Sequence, residues 1–220
     1  MLSHRRFRRF HKAKRLKELR KNVQPIHEPF PPPLGGVRRG FLLNTILMIR
    51  LSKSVVGKAE SAAVAHVIED IGYLGMGAVV GEFEHQLEDY IGGGRRALCV
   101  NSGTAALHLA LQAVTKPGDE VLVPSFTFVA TYQAVTAAGC KPVSCEIRPD
   151  TLTLDLEDAA RRITPRTTAM MPVYYASNCS IVEEYQHFAK EHGLRLIEDA
   201  AHSFGCTHQG KKIGSFGDIV

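Results

Sequence analysis

Five short apolar runs set the terms for any fold this chain can adopt. Residues 97–100, 120–123, 141–147, 169–174 and 194–198 each read as a strand, and stretches with helical patterning separate them. Helices are expected over 105–115, 131–138, 156–163 and 181–192, with two more, 58–71 and 81–91, upstream. In the last of these, Phe83, Leu87 and Ile91 recur every four residues and form one apolar stripe. Neighbouring strands joined through helices run parallel, and the crossover helices then cover both faces of the sheet. The expected fold class is therefore α/β, a mostly parallel sheet sandwiched by helices. No internal repeat interrupts the pattern.

Charge divides the chain in two. The net charge is +5, yet residues 1–47 hold 12 Lys/Arg against 2 Asp/Glu, while residues 48–220 hold 15 against 20. The body is mildly acidic and one short arm makes the whole basic, so nucleic acid is not an expected partner of the folded part. The arm itself is a basic run over 5–21, followed by five prolines and two glycines within 25–36, a composition that blocks regular structure. The boundary is expected at Met48, with 1–47 either a disordered extension or a start assigned too far upstream. The longest apolar stretch, 41–49, has nine residues and contains Asn44 and Thr45, against the roughly 20 a membrane helix needs, so no membrane span is expected. The five cysteines (Cys99, Cys140, Cys145, Cys179, Cys206) show no CxxC pair or finger spacing. They read as free thiols of a reducing, cytoplasmic compartment, with no metal site.

Candidate site residues cluster where strands end. Ser102-Gly103-Thr104 lies at a strand-to-helix junction, where free amides, the helix dipole and two hydroxyls suit a phosphate. Ser and Thr also cap helices that bind nothing. Glu198-Asp199 closes the run 194–198, and in open α/β sheets ligands gather beyond the carboxyl ends of strands. A carboxylate there can face a cationic ring nitrogen, or it can cap the next helix. Phe126 and Phe128 follow Pro124, and either can lie on an aromatic ligand or pack in the core. His202, three residues after Asp199, can reach a ligand oxygen or simply pack.

Five blocks taken together carry a resemblance. Gly81-Glu82-Phe83-Glu84, Asn101-Ser102-Gly103-Thr104-Ala105-Ala106-Leu107 and Pro117-Gly118-Asp119-Glu120-Val121 are similar to the nucleotide-sugar aminotransferases of the DegT/DnrJ/StrS type. So are Pro124-Ser125-Phe126-Thr127-Phe128-Val129-Ala130-Thr131 and Glu198-Asp199-Ala200-Ala201-His202-Ser203-Phe204-Gly205. The resemblance runs from Met48 to Val220 in family order and spacing. It implies the large domain of a fold type I enzyme dependent on pyridoxal 5'-phosphate, with the small C-terminal domain absent.

The resemblance also implies roles. Gly103 and Thr104, assisted by Ser102, hold the cofactor phosphate; Phe128 stacks on the pyridine ring; Asp199 pairs with the ring nitrogen; His202 contacts the phenolic oxygen or supports the ring. Tyr174 stands where the family usually has His after Pro-Val, and no role is carried over to it. The Schiff-base lysine is expected about seven residues beyond Val220. Lys211 and Lys212 read as an exposed turn, so no catalytic residue is assigned and the chain is expected to be an inactive fragment on its own. The implied substrates are a keto sugar on a nucleotide diphosphate and glutamate as amino donor. The implied assembly is a homodimer, and the implied context is polysaccharide or lipopolysaccharide biosynthesis. Three alternatives stay open: a phosphate- or cofactor-binding remnant, a sugar dehydratase with histidine for lysine, and a nucleic-acid or membrane-surface binder acting through residues 5–21.

Overall fold

The computed structural model describes residues 55–220, and the compact unit is Val56–Val220. The basic arm and the boundary expected at Met48 lie outside the described residues. Helix α1, Lys58–His66, passes into a π-helical turn, Val67–Ile71, which Gly72 closes at φ 67°. Helix α2 is Ala78–Ile91. Neither helix buries a residue; of the expected stripe, Phe83 is 54% exposed while Leu87 and Ile91 are half-buried.

The sheet begins after α3, Gly103–Val114. Strand β1 (Glu120–Pro124) leads through α4 (Ala130–Ala137) to β2 (Lys141–Cys145). Helix α5 (Leu156–Arg162) then returns the chain to β3 (Thr167–Met170), and α6 (Val182–Glu191) precedes β4 (Arg195–Leu196). The spatial order is β2-β1-β3-β4 with every pairing parallel. Ile219 lies beside Ile197 in one further parallel bridge. An antiparallel hairpin, β5 (Thr207–His208) and β6 (Lys211–Lys212), stands apart from the sheet.

Strand β1 shows why the sequence folds this way. Its side chains alternate between two cores. Leu122 points into a core with Cys145, Met170 and Leu196, covered by Leu154, Tyr185 and Phe188. Val121 and Val123 point into the other, with Ala169, Met171 and Ile197, covered by Leu111 of α3 and Ala134 and Val135 of α4. All three β1 residues are 0% exposed, and each contributes about 1.5–3 kcal/mol by burial. The next strand in sequence lies on one side of β1 and the one after that on the other. The connections therefore diverge at the carboxyl end of β1 and leave a crevice there.

The expected strand at 97–100 is not in the sheet. Among the described residues no strand pairs with it. The amides of Ala97 and Cys99 instead donate to carboxylates of α2, Glu88 Oε1 at 3.1 Å and Glu84 Oε1 at 2.7 Å. The other expected elements form within a few residues of their expected limits.

At the opposite, amino end of β1 sits a buried carboxylate. Glu120 is 1% exposed. Its Oε1 accepts from Arg166 Nη2 at 2.9 Å and Lys141 Nζ at 3.1 Å, and its Oε2 accepts from Thr164 Oγ1 at 2.6 Å. The Thr164 hydroxyl first, then the two cations, hold its pKa down to about 2. One side chain thereby ties β1 to β2 and to the segment entering β3. Because the folded pKa is depressed, this stabilisation is complete above the ordinary value of 4.5 and is lost as pH falls toward about 2. Glu120→Gln is expected to lose on the order of 1–3 kcal/mol at pH 7 and to flatten the acid limb of the stability curve. Denaturant titrations between pH 7 and pH 2.5 measure both.

Candidate functional site

A cavity of about 700 Å³ fills the crevice at the carboxyl ends of β1, β3 and β4. One wall is the start of α3. Ser102 is the N-cap: its Oγ accepts from the Ala105 amide at 3.2 Å and its carbonyl from Ala106 at 3.0 Å. Ser102 is not among the residues lining the cavity. The amides of Gly103 and Thr104 begin the first turn, where no carbonyl lies a turn behind to receive them. Both residues line the cavity, and a Cβ on Gly103 would meet no atom within 4 Å, so the space before these amides is open.

Aromatic side chains form the second wall. The segment leaving β1 carries Phe126, 45% exposed, and Phe128, 76% exposed. Phe126 meets the edge of Tyr175 with ring centres 4.8 Å apart and an interplanar angle of 61°. A ring this open has an unused face, and an aromatic ligand is the natural occupant. Tyr175 belongs to a short 3-10 turn, Tyr175–Ser177, in which Ala176 and Ser177 adopt φ of 51° and 65°.

Asp199 forms the third. Its amide donates to the Pro172 carbonyl at 3.0 Å, and its Oδ1 accepts from the Ala201 amide at 3.2 Å. Burial pushes its pKa above the usual aspartate value, only partly opposed by the Ala201 amide and by His202. A half-buried carboxylate so weakly compensated favours a cationic ligand atom. His202 Nδ1 accepts from the Ala176 amide at 3.2 Å, so in the neutral ring the proton sits on Nε2. The Ser177 hydroxyl donates to the His202 carbonyl and ties the strained turn to the same loop.

Five of the six residues singled out in the sequence, Gly103, Thr104, Phe128, Asp199 and His202, thus meet around one cavity. Ser102 caps α3 beside them. Phe126 and Glu198, also named among the strand-end candidates, line the cavity as well, and so do Thr127 and Tyr175, to which no role was given. Tyr175 was findable, since it lies just past the run 169–174 at a strand's carboxyl end. Lys211 and Lys212 are remote, with Lys212 Nζ 3.0 Å from the Tyr90 hydroxyl and 4.2 Å from that ring's centre. No lysine is among the cavity's lining residues.

A helix N-terminus, an open aromatic face and an under-compensated carboxylate are grouped where a parallel sheet's connections diverge, a chemistry that suits a phosphorylated, cationic aromatic ligand. The comparisons give that chemistry its family. The chain belongs to the DegT/DnrJ/EryC1/StrS aminotransferase family, whose pattern matches residues 55–220. It is 37% identical over 175 residues to a dTDP-4-dehydro-2,3,6-trideoxy-D-glucose 4-aminotransferase of Saccharopolyspora spinosa, covering 79% of this chain and 45% of the relative. It is 44% identical over 146 residues to a GDP-perosamine synthase of Caulobacter vibrioides, covering 66% and 39%. The fold matches the PLP form of a sugar aminotransferase, Spr1654 of Streptococcus pneumoniae, with a TM-score of 0.67 and 31% identity, over 77% of this chain and 47% of that one. The chain therefore spans less than half the length of these relatives. The fold is that of the fold type I large domain, and pyridoxal phosphate is the family's cofactor.

The cavity suits that cofactor: open amides for a phosphate, an exposed aromatic face for a ring, and a raised carboxyl for a protonated ring nitrogen. A raised carboxyl means the folded state holds the Asp199 proton more tightly than the unfolded chain. Stability therefore falls as pH rises from the ordinary value of 3.8 through the raised one. Asp199→Asn is expected to raise the unfolding midpoint of the cofactor-free chain by about 1–4 °C at pH 7 and to leave it unchanged near pH 3. Calorimetry at the two pH values checks this.

Proposed function

We propose that this chain is the cofactor-binding part of a pyridoxal phosphate-dependent aminotransferase that aminates the keto carbon of a nucleotide-linked sugar, with glutamate as donor. The observation that carries the reading is the convergence of Gly103, Thr104, Phe128, Asp199 and His202 on one cavity. The Gly103 and Thr104 amides, with the Thr104 hydroxyl, would hold the phosphate, and Phe128 would cover the ring. The Asp199 carboxylate would keep the ring nitrogen protonated, and the His202 Nε2–H would donate to the ring oxygen. Bound pyridoxal phosphate supplies an electron sink that stabilises negative charge on the carbon next to the transferring nitrogen. The protein's part is to bind, to orient and to keep a proton on one nitrogen.

The substrate class follows the names of the relatives, two of which carry dTDP- or GDP-linked sugars, and supply of amino sugars for polysaccharide or lipopolysaccharide is the context we favour. A homodimer in the cytoplasm is part of the same reading. Among the described residues, Leu74, Met76, Val79 and Phe83 leave apolar surface open that a second copy would cover. No described helix is long and apolar enough to cross a membrane.

A second reading gives these residues cofactor binding alone, with the amine that transfer requires supplied from outside the cavity's lining. Titration of the full chain with pyridoxal phosphate, followed by borohydride reduction and peptide mapping, separates the two. Saturable binding that Asp199→Asn weakens about tenfold or more is expected, an ion pair in a low-dielectric site being worth at least that. A cofactor-labelled lysine would assign the amine-bearing role to this chain. Saturable binding without one favours a cofactor-binding role for these residues. Absence of saturable binding would defeat both readings.

A further inference from the structure

Two fully buried polar side chains beside the cavity have no part in the reading above. Tyr174 and Glu198 are each 1% exposed. The Tyr174 hydroxyl donates to Glu198 Oε1 at 2.5 Å, and the Gly217 amide donates to Glu198 Oε2 at 2.7 Å. The clasp has a second arm, because the Tyr174 amide donates to the Asp199 carbonyl at 3.2 Å. One residue at the end of the β3 side therefore grips two consecutive residues beyond β4, and the second of them carries the cavity's carboxylate. Room for this is made at Gly217, where a Cβ would stand 2.8 Å from Glu198 Cγ and 2.9 Å from the Leu196 carbonyl oxygen.

Side chains of consecutive residues in extended backbone leave on opposite faces. Locking Glu198 against Tyr174 therefore sets the rotation of the backbone from which Asp199 departs. We propose that Tyr174 is a positioning residue: by holding Glu198 and the Asp199 carbonyl together, it aims the Asp199 carboxylate into the cavity and keeps it shielded from water. The phenol is the donor of the pair. Burial, then the neighbouring Glu198 charge, push ionisation of the Tyr174 phenol far above its ordinary value, so the phenol keeps its proton and remains the donor.

The aiming of Asp199 toward a ring nitrogen rests on the proposed cofactor reading, whereas the positioning itself does not. Tyr174→Phe in the full chain, with 13C-labelled aspartate, tests it by NMR titration of the Asp199 carboxyl in the absence of cofactor. Loss of the hydroxyl is expected to let water reach Asp199 and move its pKa back toward the ordinary value of 3.8. Pyridoxal phosphate affinity, read by absorbance, is expected to fall about tenfold, the scale of loss when an outer support of a site is removed. Should Tyr174→Phe not fold, Glu198→Gln takes its place: it keeps an acceptor for Tyr174 but turns an amide N–H toward the Gly217 N–H, and the same displacement is expected. An Asp199 titration identical to wild type in a folded variant, whatever the change in midpoint temperature, would overturn the proposal. If the wild-type chain binds no pyridoxal phosphate, the cofactor reading fails and the Asp199 titration still decides the positioning role.

Discussion

Everything here depends on β1 being hydrogen-bonded along both edges and covered on both faces. A strand so enclosed can hold only apolar side chains through its middle, and Val121, Leu122 and Val123 fill it. Its one polar residue, Glu120, stands at its amino end. Because the chain proceeds from β1 first to one neighbour and then to the other, the carboxyl end is where the connections part. The cavity is thus a consequence of strand order, and its lining comes from segments that the sheet fixes but does not use.

The two ends of the sheet treat carboxylates in opposite ways. At the amino end, Glu120 is matched by two cations and a hydroxyl, so its charge is fully compensated and it serves the fold. At the carboxyl end, Asp199 has one backbone amide and a nearby imidazole, and its charge is left wanting. A group that destabilises its own fold is retained where something else completes it. Glu198 shows the intermediate case, a buried carboxylate satisfied by a phenol and an amide, adjacent in sequence to the unsatisfied one.

The strands and helices of the sheet were legible in the sequence because each buried strand is an apolar run and each crossover helix an interval between runs. The run 97–100 shows the limit of that reading: composition marks an apolar run, but a strand also needs a neighbour, and among the described residues none pairs with it. Gly103, Thr104, Phe128, Asp199 and His202 were legible as strand-end residues that fit a shared pattern. Ser102 was half legible, since a serine at a strand-to-helix junction caps the helix whether or not a phosphate is bound, and the cap is what the structure shows. Tyr174 was silent because its meaning lies in a partner 24 positions away. His202's tautomer was silent too, being set by a backbone amide of a turn with positive φ that no residue type announces.

The carboxylates of Glu84 and Glu88 have an effect beyond closing two hydrogen bonds. An extended segment with free amides on every second residue invites any passing strand to add to it, the first step of sheet-to-sheet association between molecules. Here those amides, at 97 and 99, are already taken by side chains of α2. At those two positions the acceptors come from the side chains of a helix, which lend carbonyl-like oxygens without offering a new edge of their own.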